Sequence, residues 1–138
     1  MNIKKNIFIL TGAGVSKESG IQTFREKDGL WDNFKIEDVC TIDAFIRNPQ
    51  FVNDFYNQRK KKMNNSKIKP NQAHKEIAKL EDKWLGEFLL VTQNIDSLHE
   101  KAGSKKIIHM HGSLDYAYCM NCNKKYNLDF ELNINFIC

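Results

Sequence analysis

The feature that most constrains the fold is a short apolar run that ends in two closely spaced glycines. Asn6 to Leu10 are mostly branched or aromatic, and Gly12-Ala13-Gly14 follows at once. This pattern is typical of a buried parallel strand that enters a tight turn. Glycines in such a turn let the backbone approach a phosphate group, and the first N–H groups of the next helix bind it. The run therefore predicts a strand, a pyrophosphate-binding turn and a helix at residues 15–20 that stops at Gly20.

The glycine pattern leaves an alternative open. A standard dinucleotide fingerprint has a third glycine at the position where this chain has Lys17. The same residues would also form an ordinary turn between a strand and a helix. The missing glycine disfavours a hydride-transferring dehydrogenase.

Strands and helices alternate along the rest of the chain. Phe88 to Thr92 and Lys106 to Met110 are two further apolar runs, whereas Asn48-Pro49 and Pro70-Asn71 each open a segment with helical spacing. The first of these helices is expected to run to about Met63. This order predicts an α/β fold with a partial Rossmann-like, doubly wound parallel sheet.

Composition narrows the functional classes. The 138 residues carry a net charge of +4, and the densest basic cluster, Arg59-Lys60-Lys61-Lys62, has no interleaved aromatic residues to stack on bases. We interpret this cluster as a solvated helix end rather than a nucleic-acid surface. No apolar segment is long enough for a signal peptide or a membrane span. The sequence thus predicts a cytoplasmic protein with neither nucleic acid nor membrane as a partner.

Polar motifs follow the second and third predicted strands. Gln93-Asn94-Ile95-Asp96 stands at the carboxyl edge, where doubly wound sheets bind ligands, and its amides and carboxylate suit a carboxamide. Capping of the next helix is the alternative for these residues. His109-Met110-His111-Gly112 ends the third strand, and a histidine there suits proton transfer near neutral pH, although a structural role is also open. His99 is interpreted as structural.

The cysteines are expected to be metal ligands or free thiols, as in other cytosolic chains. Cys119 and Cys122 form a Cys-x-x-Cys pair, and Cys138 follows at the spacing at which a zinc ribbon begins its second pair. The sequence predicts an incomplete zinc-ribbon module with one structural Zn²⁺ and no fourth ligand in this chain. The stretch from Phe24 to Val39 lacks a clean period and is interpreted as a loop, with Cys40 as an ordinary thiol.

These motifs, in this order, resemble those of the sirtuins, the NAD-dependent protein deacylases. Residues 12–25 match the sirtuin NAD-binding stretch nearly residue for residue, and residues 28–31 continue it, with Gln22 where many members have proline. The resemblance implies that His111 is the general base, that Asn94 takes part in catalysis and that His109 packs. It also implies NAD contacts by Gly12, Ala13, Gly14, Ser16, Gly20, Phe24, Arg25, Trp31, Gln93, Asn94, Ile95 and Asp96.

A further likeness concerns the acyl group. Tyr56 and Arg59 lie three residues apart on one predicted helix face. They resemble the Tyr-x-x-Arg pair of the bacterial class III type, which removes acidic acyl groups as well as acetyl groups. A phenol and a guanidinium would bind a succinyl or malonyl carboxylate. An unremarkable helix surface is the alternative.

The resemblance covers only about the first half of a sirtuin catalytic core. It implies residues 1–114 as the N-terminal part of the NAD-binding domain, with a helical insertion at about 43–83, and residues 115–138 as the start of the zinc module. The implied enzyme transfers the acyl group of an acylated lysine side chain of a protein to ADP-ribose and releases nicotinamide. The alternative is a truncated, catalytically inactive fragment that binds NAD or a partner. We expect such a fragment to be marginally stable alone, because its sheet would expose apolar faces.

Overall fold

A computed structural model describes residues 5–23 and 34–135 of the chain. Four of the residues singled out from the sequence lie outside the described residues: Phe24, Arg25, Trp31 and Cys138. In the part that is described, no helix is long and apolar enough to cross a membrane.

A three-stranded parallel sheet forms the centre of the first unit. Its strands are β1 (Ile7–Thr11), β2 (Phe88–Thr92) and β3 (Ile107–His109), in the spatial order β1-β2-β3. The three apolar runs therefore form the strands that the sequence predicts, and the parallel pairing confirms the α/β class. Each strand carries branched residues, which fit a pleated sheet that is buried on at least one face.

The two faces of this sheet differ in burial. On one face, Phe88, Leu90 and Thr92 of the central strand are buried. On the other, Phe8 of β1 and Ile108 of β3 are at least half exposed. Since side chains alternate along a strand, one face forms the core and the other presents apolar side chains to solvent.

Two helices complete the first unit. Helix α4 (Gln72–Lys83) packs against α5 (Leu98–Ala102). Asn71 begins α4 because its side chain accepts hydrogen bonds from the backbone of the first turn, and the His74 side chain in turn accepts a hydrogen bond from the Asn71 N–H. Gly103 ends α5 with φ of 110°, a left-handed conformation that favours glycine.

Among the described residues, the second unit contains three helices and a hairpin. The helices α1 (Ile36–Val39), α2 (Ile42–Arg47) and α3 (Pro49–Met63) pack against one another. The antiparallel hairpin pairs β4 (Tyr116–Tyr118) with β5 (Lys125–Asn127). Two hydrogen bonds between the Asn57 amide and the Leu132 backbone, of 2.7 and 2.9 Å, fasten α3 to the segment after the hairpin.

The loop interpretation of Phe24 to Val39 is wrong at its end, where α1 begins at Ile36. This helix has four residues and its N-cap, Lys35, makes no side-chain capping bond. A single turn is too short to give a hydrophobic period, so packing against α2 and α3 stabilises it rather than local sequence. The preceding residues 24–33 lie outside the described residues.

The backbone contacts divide the chain into two compact units. The first contains the residues up to Ile21 together with Ser66–Ser113, and the second contains Gln22–Asn65 together with the residues from Leu114 onward. The sheet and α4 thus belong to one unit, and α1 to α3 and the hairpin belong to the other. The domain boundaries expected from the sequence stay a prediction.

Candidate functional site

The polar motifs of the first unit emerge at one edge of the sheet. Thr11 pairs with Thr92, and Thr92 pairs with His109, so the three strands end in register. The Gln93 N–H donates to the Thr11 carbonyl oxygen at 2.9 Å, which keeps the chain beyond β2 beside the glycine turn. The carboxyl edge of a parallel sheet is where such folds bind ligands.

The glycine turn leads into a 3₁₀ helix, Ala13–Ser19, that ends at Gly20 with φ of 88°. A Cβ on Gly12 would lie 3.1 Å from the Gln93 side-chain oxygen, so glycine permits close approach of the two loops. A Cβ on Gly14 would meet no atom of the described residues within 4 Å. With respect to that part of the chain, the backbone at Gly14 therefore faces open space in which a ligand could lie.

A buried set of hydrogen bonds converges on Ser16, which is fully buried. Its hydroxyl donates to Oδ2 of Asp96 at 3.0 Å and accepts from Nδ2 of Asn94 at 3.1 Å. Nε2 of His74 lies 3.3 Å from the same oxygen. We call Ser16, His74, Asn94 and Asp96 the Ser16 network. It joins the glycine turn, α4 and the segment after β2 at one hydroxyl group.

Asp96 and Asn94 are further held by the backbone. Oδ1 of Asp96 accepts from the Leu98 N–H at 3.0 Å, and the Asn94 N–H donates to the Thr92 hydroxyl at 3.1 Å. The capping role that the sequence left open for Asp96 is thus present at α5. An ionised carboxylate offers about four acceptor positions. The bonds that Asp96 accepts from Ser16 and Leu98 therefore leave it capacity for a ligand.

His74 is the member of the network that the sequence analysis missed. Its Nδ1 lies 3.3 Å from the Asn71 backbone nitrogen and 3.0 Å from the Asn71 side-chain oxygen, and its Nε2 faces the Ser16 hydroxyl. Burial lowers the pKa of His74, and Asp96 only partly opposes this, which agrees with a neutral ring. The Asn71-x-x-His74 spacing is a helix-start signal, but it does not reveal that the ring turns inward.

His99 is buried against the same strands, as a structural residue would be. Its Nε2 lies 3.0 Å from the Thr11 hydroxyl, and its ring centroid lies 4.7 Å from that of His74. Burial lowers the pKa of His99 to about 4, with the neighbouring His74 acting in the same direction. The ring is therefore neutral at physiological pH.

His109 packs between the Asn94 backbone and α5. Its Nδ1 lies 2.9 Å from the Asn94 carbonyl oxygen, and its Nε2 meets the Glu100 carboxylate. The hydrogen bond with Glu100 raises the pKa of His109 despite burial. Both ring nitrogens have acceptors, so His109 is suited to anchoring rather than to proton exchange with a ligand.

His111 is held differently. Its Nδ1 lies 3.1 Å from the Gln93 carbonyl oxygen, and the residue is exposed. Because a carbonyl can only accept, the proton of a neutral His111 lies on Nδ1 and Nε2 is left as the basic nitrogen. The adjacent Gly112 has φ of 80°, which lets the chain turn directly after the histidine.

The second unit holds a different buried polar group. Arg59 is 5% exposed, and its guanidinium carbon lies 3.1 Å from the centroid of the Phe55 ring. Nη1 donates to the Phe55 carbonyl oxygen at 2.9 Å, while Nε and Nη2 have no partner among the described residues. Nearby, the Tyr56 hydroxyl donates to Sγ of Cys40 at 3.7 Å. We call Cys40, Tyr56 and Arg59 the Arg59 cluster.

The charges of this cluster influence one another. Burial lowers the pKa of Arg59 to about 10, and the Cys40 and Tyr56 side chains oppose that shift as anions. Burial and the contact with Cys40 raise the pKa of Tyr56. At neutral pH the cluster therefore contains a guanidinium cation and a neutral phenol, which together suit an anionic ligand.

The Cys-x-x-Cys pair lies at the tip of the hairpin. The Cys119 N–H donates to the Lys124 carbonyl oxygen at 2.9 Å, and the Asn123 N–H donates to the Cys119 carbonyl oxygen at 2.8 Å. Asn123 has φ of 57°, so the chain turns sharply after Cys122. Within residues 5–23 and 34–135, no three candidate ligands come together to hold a metal.

Comparison with known proteins identifies the family. The family model described as "Sir2 family" matches residues 12–135. The chain belongs to the Sir2 family. It is 49% identical over 138 residues to an NAD-dependent protein deacylase of Bdellovibrio bacteriovorus, covering 100% of this chain and 59% of the relative. It is 55% identical over 120 residues to one of Vibrio vulnificus, covering 87% of this chain and 49% of the relative.

Solved structures agree with this assignment. A Sir2 homologue in complex with NAD has 42% sequence identity and a TM-score of 0.80, over 97% of this chain and 51% of that chain. A mutant Sir2 homologue in complex with ADP-ribose has 43% identity and a TM-score of 0.83, over 95% of this chain and 51% of that chain. The chain thus spans about half the length of the relatives it matches.

Within this Sir2 chain, most residues singled out from the sequence gather at the sheet edge of the first unit. Gly12, Ser16, Gln93, Asn94 and Asp96 are joined there by short contacts, and His111 bonds to the Gln93 backbone. Ala13 and Ile95 are half-buried in the same two loops, and Gly20 ends the 3₁₀ helix. Tyr56, Arg59, Cys119 and Cys122 belong to the second unit.

Proposed function

We propose that the protein is an NAD-dependent protein-lysine deacylase that removes acetyl groups and also succinyl or malonyl groups. The observation that carries this proposal is the meeting of the Ser16 network with the backbone-anchored His111 at one sheet edge of a Sir2-family chain. The NAD-dependent deacylases among its relatives support the reaction class. The assignment as an acyltransferase belongs to the same proposal.

The sheet edge fits NAD as a bound cosubstrate. The open space beside Gly14 offers room for a phosphate, and Asp96 keeps acceptor capacity for a carboxamide NH₂. When bound, NAD would supply an electrophilic sugar carbon and nicotinamide as a leaving group, so that the acyl group ends on ADP-ribose. Asn94 would contribute to orientation, because its side chain is fixed by Ser16 and its backbone by Thr92.

His111 would act as the general base through Nε2. The Gln93 carbonyl oxygen holds the proton of the ring on Nδ1, which leaves Nε2 free to accept a proton from a hydroxyl group. The exposed position of His111 permits a substrate to reach this nitrogen. His109 would not substitute for it, because both of its nitrogens are already bonded.

The Arg59 cluster would select the acyl group. A succinyl or malonyl chain ends in a carboxylate, which would bind the unpartnered Nε–H and Nη2–H of Arg59 together with the Tyr56 hydroxyl. The two Arg59 N–H groups are buried, so a neutral acyl group would leave them without a partner among the described residues. This asymmetry supports a preference for acidic acyl groups.

The hairpin would hold a structural Zn²⁺. Its tip carries Cys119 and Cys122 on a tight turn, which suits two thiolate ligands of a tetrahedral site. Cys138, outside the described residues, would be the third ligand. The proposed role is to stabilise the second unit, and the catalytic steps above use none of these thiols.

An acyl-lysine peptide assay with and without NAD tests the reaction. We expect deacylation only with NAD, and we expect His111→Ala to lower kcat by about 10²- to 10⁴-fold, the usual contribution of a general base. Met110→Ala, at an exposed neighbouring position, is the matched control and should keep kcat within about twofold. Full NAD-dependent activity in His111→Ala would exclude His111 as the base.

Calorimetry with NAD separates the enzyme from the alternative of an inactive fragment. Heat of binding without turnover of any acyl peptide would favour an NAD-binding fragment. No heat with NAD or nicotinamide would contradict the proposed cofactor site.

A further inference from the structure

The Arg59 cluster contains a thiol that the proposed reaction does not use. Cys40 is exposed, and its Sγ accepts a hydrogen bond from Tyr56 at 3.7 Å. The neighbouring guanidinium of Arg59 is nine-tenths buried and has two N–H groups without partners among the described residues. An exposed thiol is therefore hydrogen-bonded to Tyr56, the helix neighbour of a guanidinium whose free donors suit an anion.

Tyr56 links the thiol to those donors. Its hydroxyl contacts Cys40, and Tyr56 lies three residues before Arg59 on α3, so Tyr56 and Arg59 share one face of the helix. A negative charge on Cys40 also raises the pKa of Arg59 against the effect of burial. An anion formed on Cys40 would thus be stabilised by the same groups proposed to bind a substrate carboxylate.

We propose that Cys40 is a peroxide-sensitive modification site whose sulfinate binds Arg59 and Tyr56 and so blocks removal of acidic acyl groups. This inference rests on the acyl preference proposed above and adds its regulation. A sulfinate carries two oxygen atoms on one centre, as a carboxylate does, and so competes for the same donors. Acetyl groups lack a carboxylate, so their removal does not depend on these donors.

The chemistry needs only hydrogen peroxide as the oxidant. The thiolate sulfur of Cys40 attacks one peroxide oxygen, an S–O bond forms, the O–O bond breaks, and hydroxide leaves and takes up a proton to become water. The sulfenic acid then ionises and attacks a second peroxide in the same way, which gives the sulfinate. Each step oxidises sulfur by two electrons and reduces one peroxide.

The test compares two activities of the full-length protein after peroxide treatment. Desuccinylation and deacetylation are each divided by the activity of the same variant without peroxide, and mass spectrometry follows Cys40. We expect Cys40 to gain two oxygen atoms while desuccinylation falls at least about tenfold more than deacetylation, equivalent to roughly 1.4 kcal/mol. Oxidation of Cys119 or Cys122 would lower both activities together, so the ratio separates that effect.

Three substitutions sharpen the result. In Cys40→Ser, the ratio of desuccinylation to deacetylation should not change after peroxide treatment. In Cys40→Asp, this ratio should already be low without peroxide. Arg59→Met should slow sulfinate formation at Cys40 severalfold. Cys40→Asp retains Arg59, so it tests the inference even if Arg59→Met does not fold.

The possible failures are distinguishable. The inference is overturned if peroxide treatment selectively lowers desuccinylation in Cys40→Ser. It is also overturned if peroxide treatment lowers desuccinylation and deacetylation equally in the wild-type protein. Either result leaves the acyl preference intact. Untreated protein with no Arg59-dependent desuccinylation overturns the acyl preference and this inference with it. If that protein still removes acetyl groups with NAD, the proposed reaction class remains valid.

Discussion

The two buried polar clusters of this protein differ in how completely their hydrogen bonds are used. In the Ser16 network the central hydroxyl serves three neighbours, and the Asp96 carboxylate also caps α5. In the Arg59 cluster, two guanidinium N–H groups have no partner in the part of the chain that the structure describes. A buried group without a partner costs about 1–3 kcal/mol, so the open cluster is stable only because its surroundings compensate for it.

This difference indicates two kinds of function. A network joined at one shared hydroxyl fixes positions, because moving one member breaks the bonds of the others. A cluster with unpartnered donors can form hydrogen bonds with a ligand instead. We therefore expect substitutions in the Ser16 network to act mainly on folding, and those in the Arg59 cluster to act mainly on substrate choice.

Among the substitutions that test this comparison of the two clusters, we expect the largest effect at Arg59. Replacing it with methionine removes the charge that would bind an acyl carboxylate, and truncating one partner of a buried charge pair costs about 2–5 kcal/mol. Desuccinylation kcat/KM should fall by about 100-fold or more in Arg59→Met, while deacetylation stays within about threefold. Steady-state assays on matched succinyl and acetyl peptides measure both. Equal losses would show that Arg59 supports the fold and does not read the acyl group.

Ser16 should have the next largest effect, this time on stability. In Ser16→Ala, Asn94 loses an acceptor, Asp96 loses a donor and His74 loses the hydrogen-bond partner of its Nε2, so we expect the free energy of unfolding to fall by about 2–4 kcal/mol. Ser19→Ala is the matched control on the same 3₁₀ helix, because its buried hydroxyl has no partner among the described residues. It should be neutral or slightly stabilising. Urea unfolding measures both, and equal losses would contradict the contrast.

The smallest expected effect is a pH dependence at His99. The pKa of its folded form is lowered to about 4, whereas an unfolded histidine titrates near about 6.5. Between these values the unfolded chain binds more protons, so stability decreases as pH falls. Wild-type protein should lose about 1–2 kcal/mol more than His99→Gln between pH 7 and pH 5, measured by urea unfolding. Parallel losses in the two proteins would refute this role for His99.

Sequence reasoning predicted the elements that have a clear period or cap. Strand β2 spans Phe88–Thr92 as expected, and α3 spans Pro49–Met63 as expected, because apolar alternation or an Asn-Pro start defines each one locally. Helix α1 was missed because one turn carries no such signal.

The candidate site was predictable only in its sequence motifs. Parallel strands bring their carboxyl ends together, which is why Gln93 and His111 could be expected near the glycine turn. His74 turns inward to Ser16, which is 58 positions away in the sequence, and Cys40 contacts Tyr56, which is 16 positions away. Such contacts depend on packing and leave no mark in the local sequence.

Two adjacent carbonyl oxygens, those of Gln93 and Asn94, each receive an imidazole, His111 and His109 respectively. The main chain therefore determines which ring nitrogen of His111 is basic, and no particular side chain is needed at position 93. Laboratory diversification of Gln93 could retune recognition without uncoupling the histidine. The same linkage means that a rotated peptide plane between these residues would displace both rings at once.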